Sequence, residues 1–125
     1  MARSLHLPQV GHRAPIPLGA RVGPLLCSSA IAGKDPSDGS LPADGATQVA
    51  HAFANLRALL AAGGGGPEHV VKLAVTLADD GLRNVVNAQW LACYPDADQR
   101  PARHIAVQPL GHGQQVQLEV LAWIA

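Results

Sequence analysis

Apolar residues alternate with other residues near the C-terminal end of the chain, which predicts a long β-strand over residues 115–124. One face of this strand carries Val116, Leu118, Val120, Ala122 and Ile124. The other face carries Gln117, Glu119, Leu121 and Trp123. Both faces are largely apolar, so we expect the strand to be covered on both sides. A carboxylate at Glu119 is costly there unless it is paired or neutral, which makes it a candidate functional group.

Four shorter apolar segments are also predicted to be strands. They are residues 18–22, 25–31, 70–77 and 105–107. Gly23 and Pro24 form a turn between the first two segments, which therefore make a hairpin. A second turn, over residues 111–113, precedes the last strand.

Two segments have helical periodicity. Residues 46–62 repeat apolar side chains at three- and four-residue steps, with Asp44 as a candidate N-cap. Residues 82–93 carry a similar apolar stripe. The run GGGGP at 63–67 ends the first helix; because it follows a helix and no GK[ST] follows it, it is a connection rather than a phosphate loop.

The predicted order β-β-α-β-α-β-β defines one α+β domain over residues 1–125. Residues 1–15 have no clean period and are expected to be an irregular N-terminal segment. Two helices cover one face of a mixed sheet in this arrangement. The opposite face carries apolar residues from several strands, so we expect it to be buried between subunits.

Composition excludes several classes of function. Nine basic residues balance nine acidic ones, which argues against a nucleic-acid partner. No apolar run reaches the length of a membrane span, and the start lacks the apolar core of a signal peptide. Cys27 and Cys93 are predicted to be buried, reduced thiols of a cytoplasmic protein. The six histidines have no ligand spacing, so no metal site is predicted.

Arg103 and His104 stand just before a short strand and are candidates for binding and proton transfer. The Arg103 guanidinium matches a carboxylate, although an intersubunit salt bridge is an alternative use. Glu119 suits proton transfer or the holding of a water molecule, with a structural ion pair as its alternative. His104 titrates near neutral pH, but adjacent strand residues point to opposite faces, so a packed structural histidine is equally consistent.

Several motifs, in order, are similar to those of the Rid/YjgF family of reactive intermediate deaminases, also called L-PSP endoribonucleases. The motifs are SSAIAGKDPSDGSL, FANLRALLAAGG, VVKLAVTLAD, VVNAQW, PARH and VQLE, and they span roughly residues 16–125. The resemblance implies a chorismate-mutase-like fold. It also implies a homotrimer in which the sheets form a central barrel and ligand sites lie between subunits.

The resemblance also assigns roles to residues. Arg103, in the PAR motif, would bind the carboxylate of an imine or enamine acid, and Glu119 would position or activate water. Asn87 corresponds to the helix asparagine of the family's VN motif. Backbone N–H groups near Ser29 and Ala30 would meet a carboxylate.

Four positions depart from the family pattern. Ile16 stands about where the tyrosine of the family's GPYS motif would be, and Ala30 replaces the glycine of its SG motif. Gln117 replaces an acid, and His104 follows PAR where Ser, Cys or Thr is usual. Relatives with this histidine resemble 2-aminomuconate deaminases, which is one branch to which the chain could belong.

The expected function is hydrolysis of an enamine or imine acid to the oxo-acid and ammonia without a cofactor. Arg103 would anchor the substrate, Glu119 would activate water and His104 would assist proton transfer. A non-catalytic binding protein for small carboxylates is the first alternative, favoured by the missing tyrosine. A ribonuclease is the second, and the neutral net charge counts against it.

Overall fold

The computed structural model describes residues 3–125, which form a two-layer α+β fold. Its strands are β1 (Ser4–Leu5), β2 (Gly19–Val22), β3 (Leu25–Ser28), β4 (Ile31–Ala32), β5 (Val70–Leu77), β6 (Ala102–Val107) and β7 (Val116–Trp123). Its helices are α1 (Gly45–Ala62) and α2 (Arg83–Cys93). The sheet has the order β1-β2-β3-β7-β5-β6, with β4 also paired to β7. Only β5 and β6 run parallel, so the sheet is mixed as predicted. No helix of residues 3–125 is long and apolar enough to cross a membrane.

The predicted order of elements is confirmed, with two corrections at the N-terminal end. Residues 1–15 are not wholly irregular, because β1 pairs with β2. The predicted strand over residues 25–31 is two strands, β3 and β4, both paired with β7. The break falls at Ser29 and Ala30. The chain between β3 and β4 has one residue more than the stretch of β7 opposite it, as in a β-bulge. A bulge of this kind re-aims the chain without ending the sheet.

Both ends of α1 are fixed by specific polar contacts. The Asp44 carboxylate accepts hydrogen bonds from the Thr47 backbone N–H at 3.0 Å and the Thr47 hydroxyl at 2.6 Å, which confirms the predicted N-cap. At the other end the Arg21 guanidinium donates to the carbonyls of Gly63 and Ile124. A cation at a helix C-terminus is favourable because the last carbonyls there carry partial negative charge.

The core lies between the helices and one face of the sheet. Its largest fully buried apolar side chains are Phe53, Leu18, Leu26, Ile31, Leu56, Leu59, Leu60, Leu73, Leu77 and Leu118. Gln48 is buried among them and satisfies its amide by donating to the carbonyls of Pro42 and Gly113 and accepting from the Gln115 N–H. This single side chain therefore ties two loops to α1, since each of these buried groups is costly to leave unpaired.

The other face of the sheet, which we call the open face, is uncovered in the protomer. Val22, Leu25 and Trp123 lie in one row of this face and are 56%, 41% and 55% exposed. Cys27 and Leu121 lie in the next row and are also exposed. The expectation that β7 is covered on both sides therefore does not hold within one chain. The expectation that Cys27 is buried is wrong, because its strand position faces the open side.

Gly33 supplies a test of the packing between β4 and α1. A β-carbon there would lie 2.7 Å from the Gln48 Cα, in contact with helix backbone that cannot yield cheaply. We expect Gly33→Ala to lower the free energy of unfolding by about 1–3 kcal/mol, measured by urea denaturation. Gly111→Ala is the matched control, since nothing lies within 4 Å of the methyl group that this substitution would add. Equal stability of the two variants would contradict this packing.

Candidate functional site

Arg103 lies on the helix side of the sheet, beside α2. Strand β6 begins at Ala102, so Arg103 is inside the strand rather than before it. It pairs with Leu73 of β5, whose side chain is fully buried beneath the helices. The guanidinium carbon lies 4.9 Å from the ring centre of Trp90 on α2, a cation–π distance. The indole thus forms a platform that holds the guanidinium in place.

Among residues 3–125, no acid forms a salt bridge with the Arg103 guanidinium. Its Nη1 atom is buried and has no hydrogen-bond partner among residues 3–125. Burial, followed by the nearby charge of Arg83, lowers the pKa of Arg103 from its ordinary value. A buried donor without a partner is unfavourable, and an anion bound there would relieve both the missing hydrogen bond and the repulsion.

Asn87 and the aromatic residues of α2 line the same region. Asn87 precedes Trp90 by three residues, so the two occupy neighbouring positions on the helix surface. Trp90 in turn packs on Tyr94, with ring centres 4.9 Å apart. The Tyr94 hydroxyl donates to the Pro67 carbonyl at 3.0 Å, which anchors the aromatic pair to the loop before β5. We call Arg103, Asn87 and Trp90 the arginine half-site.

Glu119 and His104 lie on the opposite, open face. Both pair with Ala74 of the central strand β5, so the three residues form one row across the sheet. Two strand spacings separate Glu119 from His104, or about 10 Å between their backbones. Both side chains are exposed in the protomer. They are too far apart for a direct hydrogen bond.

Ser29 and Ala30 lie at the bulge in the sheet, opposite Glu119. The Ser29 hydroxyl donates to the Pro17 carbonyl at 2.9 Å, which holds the N-terminal segment against the bulge. The Ser29 backbone N–H donates to the Leu18 carbonyl at 2.8 Å, so this N–H is not available for the carboxylate contact expected from the sequence. Ala30 lines a small cavity together with Gln117, which neighbours Glu119 on the open face. We call Glu119, His104, Ser29 and Ala30 the carboxylate half-site.

The structure therefore divides the predicted site residues into two groups. Arg103 pairs through Leu73 with Val120, whereas Glu119 is the next residue along β7 and faces the other way. The sheet itself separates the two groups, so Arg103 and Glu119 do not meet within one protomer. We expected the side chains of Arg103 and His104 to point to opposite faces of the sheet, and the structure shows this arrangement. His104 therefore lies on the same face as Glu119.

Two contributions could not be assigned from the sequence. The apolar stripe of α2 indicates only a core or interface role for Trp90, although its spacing from Asn87 on the predicted helix is visible. Ser28 accepts a hydrogen bond from the Val120 N–H at 2.9 Å, which keeps β3 joined to β7 where the bulge begins. No sequence signal distinguishes this serine from its neighbour.

Among residues 3–125, no three side chains of His, Cys, Asp or Glu are grouped as a metal site requires.

The fold defines a class of α+β domain found in many solved structures. RidA from an Antarctic Psychrobacter species is 25% identical, with a TM-score of 0.87, covering 98% of this chain and 100% of that one. The YjgF gene product of E. coli is 23% identical, with a TM-score of 0.86 and 98% coverage of both chains. E. coli TdcF with bound serine is 19% identical, with a TM-score of 0.89, covering 99% of this chain and 100% of that one.

The sequence pattern of one family extends over nearly the whole domain. The family described as Endoribonuclease L-PSP matches residues 17–124. The chain therefore belongs to this family, and the resemblance drawn from its motifs is confirmed. No protein of curated function matches the sequence.

Tyr94 provides a test of the aromatic packing beneath the arginine half-site. Burial, with smaller effects from Cys93 and Glu68, raises the pKa of Tyr94 to about 12, whereas a phenol in an unfolded chain titrates at about 10. The folded state holds this proton more tightly. Its contribution to stability is therefore complete below about pH 10 and is lost as the pH rises through about 12.

Tyr94 is the only tyrosine, so its ionisation can be followed directly by phenolate absorbance. We expect the native midpoint to lie near pH 12 and the midpoint in urea to lie near pH 10. We expect the free energy of unfolding of Tyr94→Phe, measured by urea denaturation, not to show the loss that Tyr94 causes as the pH rises from about 10 to about 12. A native midpoint equal to the midpoint in urea would show that the hydroxyl is not held as described.

Proposed function

We propose that the protein is a cofactor-independent hydrolytic deaminase of small imine or enamine carboxylic acids. The observation that carries the proposal is the buried Nη1 of Arg103, a fixed donor with no partner among residues 3–125. A carboxylate would accept from the guanidinium in a two-pronged pair and neutralise it. The serine bound in the E. coli TdcF structure, itself a small amino acid, supports this class of ligand.

The working site would combine the arginine half-site of one protomer with the carboxylate half-site of another. Arg103 and Glu119 lie on opposite faces of one sheet, so no movement of side chains alone can join them. Packing the open face of one copy beside β6 and α2 of its neighbour would bring the two together. Each protomer would then contribute its arginine to one cleft and its glutamate to another.

The apolar surface of the open face supports assembly, which we propose is a homotrimer. Val22, Leu25, Leu121 and Trp123 are exposed side by side, and large exposed patches of this kind usually mark protein interfaces. A closed ring of three identical interfaces leaves none of them uncovered. The two thiols, neither of which is in a disulfide, support a reducing compartment such as the cytoplasm.

The proposed chemistry needs only these residues and water. The C=N nitrogen is protonated, and Glu119 accepts a proton from a water molecule as the water oxygen adds to the carbon, which forms a neutral carbinolamine. As the carbinolamine hydroxyl then releases its proton to solvent and the C=O bond forms, the amine takes a proton and leaves as ammonia. His104, in the same row as Glu119, is placed to supply that proton. An enamine first takes a proton at carbon to become the imine.

A protein that binds small carboxylates without turning them over is the second candidate. Ile16 is a hydrocarbon at the position where deaminating relatives are expected to carry a tyrosine, and it is 46% exposed. This residue removes a hydroxyl from the pocket but leaves the arginine half-site intact. A ribonuclease is less well supported, because the net charge is zero and phosphate backbones are bound by basic surfaces.

The assay is ammonia release from imino acids generated in situ, with 2-aminomuconate as a further substrate. We expect Arg103→Met to lower kcat/KM roughly 10- to 100-fold through loss of a charged hydrogen bond, and Glu119→Gln to abolish turnover. Arg57→Met is the matched control, because Arg57 is an exposed arginine on the outer side of α1. Saturable ligand binding without turnover of any substrate would favour the binding protein, and full activity of Arg103→Met would refute the anchor.

Mixing the two impaired variants tests whether the site is shared between subunits. Trimers that contain both Arg103→Met and Glu119→Gln chains hold one intact site each, so random reassembly should restore about a quarter of wild-type activity. Refolding the variants separately and then combining them without exchange should restore none. Absence of recovery after verified exchange would contradict a site that combines Arg103 of one subunit with Glu119 of another.

Assembly itself is tested by placing a charge on the open face. The wild-type protein should have three times the 12.9 kDa mass of the chain in light scattering. Leu121→Glu should dissociate it, because a buried, unpaired carboxylate is costly at an interface. Ala58→Glu adds the same charge to the exposed side of α1 and should leave the mass unchanged. A wild-type monomer at micromolar concentration would contradict the shared cleft.

A further inference from the structure

A second cleft lies where three loops meet, away from the arginine half-site. The N-terminal segment contributes His12 and Arg13, the loop between β4 and α1 contributes Lys34, and the loop between β6 and β7 contributes His112 and Gln114. The cleft has a volume of about 440 Å³. This volume is within the range of small-molecule sites in proteins. We call it the basic cleft.

The charges that line the basic cleft all have one sign. Arg13 and Lys34 are permanent cations, and no acidic residue is among those that line it. Asp35 follows Lys34 in the chain, but its carboxylate accepts hydrogen bonds from the Ser37 N–H at 2.8 Å and the Ser37 hydroxyl at 2.7 Å. Its other oxygen lies 3.9 Å from His51 Nε2. Asp38 precedes Gly39, which also lines the cleft, and its carboxylate accepts from the Ser40 N–H at 2.8 Å. The residues that line the cleft therefore carry a net positive charge in a protein whose formal net charge is zero.

Hydrogen-bond donors remain available around the cleft. The Lys34 ammonium donates to the Gly11 carbonyl at 2.8 Å, which uses one of its three N–H groups and holds the N-terminal segment in place. Gln114 accepts from the Gln117 amide through its oxygen, which leaves its own N–H groups for a ligand. His12 Nε2 is buried without a hydrogen-bond partner among residues 3–125. Three chain segments thus converge on one small volume with unused polar capacity.

His112 supplies independent support. Its backbone lies in the left-handed region, at a φ of 60°, which costs a side-chain-bearing residue free energy that glycine would not incur. The turn is flanked by Gly111 and Gly113, so the sequence has the residue best suited to such a conformation on either side of His112. The imidazole is therefore held at the cleft at some cost to local stability. Strain of this kind is concentrated at functional sites in proteins.

A smaller cavity of about 110 Å³ continues from the basic cleft beneath the N-terminal segment. His12, Lys34 and Gln114 line both spaces. The small cavity has room for only a few water molecules, so it extends the cleft rather than forming a separate ligand site. It reaches Gln117, whose backbone is about 7 Å from that of Glu119 along β7. The basic cleft is thus a neighbour of the carboxylate half-site.

We propose that the basic cleft is a second ligand site, which binds a small doubly charged oxyanion. Arg13 and Lys34 supply two charges to balance it, and Gln114 together with the imidazoles supplies directional hydrogen bonds. A phosphate group on a small metabolite and a dicarboxylate share this chemistry. Its charged and hydrogen-bonding residues take no part in the proposed deamination, and only Ala30 of the adjoining small cavity also belongs to the carboxylate half-site. The proposal therefore stands or falls independently of that activity.

The test uses inorganic phosphate as the probe, titrated as its sodium salt into the whole 125-residue chain by calorimetry, with sodium chloride to hold the ionic strength constant. We expect saturable binding that Arg13→Gln weakens about tenfold, the loss of one charge-assisted contact. Arg57→Gln is the charge-matched control and should bind as the wild type does. His112→Gly should also weaken binding while keeping or raising the urea midpoint, because glycine relieves the strained φ. This second variant separates a binding role from a folding role.

Succinate, titrated in the same way, distinguishes the two sources of the anion. Tighter binding of phosphate would assign phosphorylated metabolites to the cleft, and tighter binding of succinate would assign dicarboxylates. Binding that is absent, or that Arg57→Gln weakens as much as Arg13→Gln does, would overturn the proposal. Loss of binding in Arg103→Met alone would also overturn it, because the anion would then occupy the arginine half-site.

Discussion

The two-residue period of strand β6 determines how this protein can work. Arg103 and His104 are adjacent in the chain, and the pleat sends them to opposite faces of one sheet. The same register puts Glu119 in the row of His104 and leaves Val120 in the row of Arg103. A cation suited to a carboxylate and an acid suited to proton transfer are thus held apart by a layer of backbone. A second chain is the simplest way to reunite them.

The same separation explains why the Nη1 atom of Arg103 has no hydrogen-bond partner in the part of the chain that the structure describes. A salt bridge to an acid of its own chain would satisfy the guanidinium and fill the place of a ligand. Instead, Trp90 supports one face of the side chain, and Arg83 adds repulsion that an anion would relieve. The protomer accepts some cost in stability at this point, and the cost keeps the donor available.

Much of the fold could be predicted because its elements have strong periodicity. Alternation, the Asp44 cap and the glycine run place strand β5 and helix α1 almost to the residue. The split of β3 from β4 could not be predicted, since a bulge of one residue leaves the apolar pattern of residues 25–31 intact. Chemistry and resemblance propose the site residues, but their division between two faces depends on where β6 begins and on its register against β5. The apolar pattern predicts that the strand begins at Ile105, three residues after its observed start at Ala102, which directly follows Pro101.

The two tryptophans of the chain lie on opposite sides of the sheet. Trp90 is nearly buried beneath the Arg103 guanidinium, and Trp123 is more than half exposed on the open face. Their indole emission should therefore respond to separate events, because a charged group or a change of solvent around one ring leaves the other unaffected. The protein thus carries an intrinsic optical probe for each of its faces, with no label required.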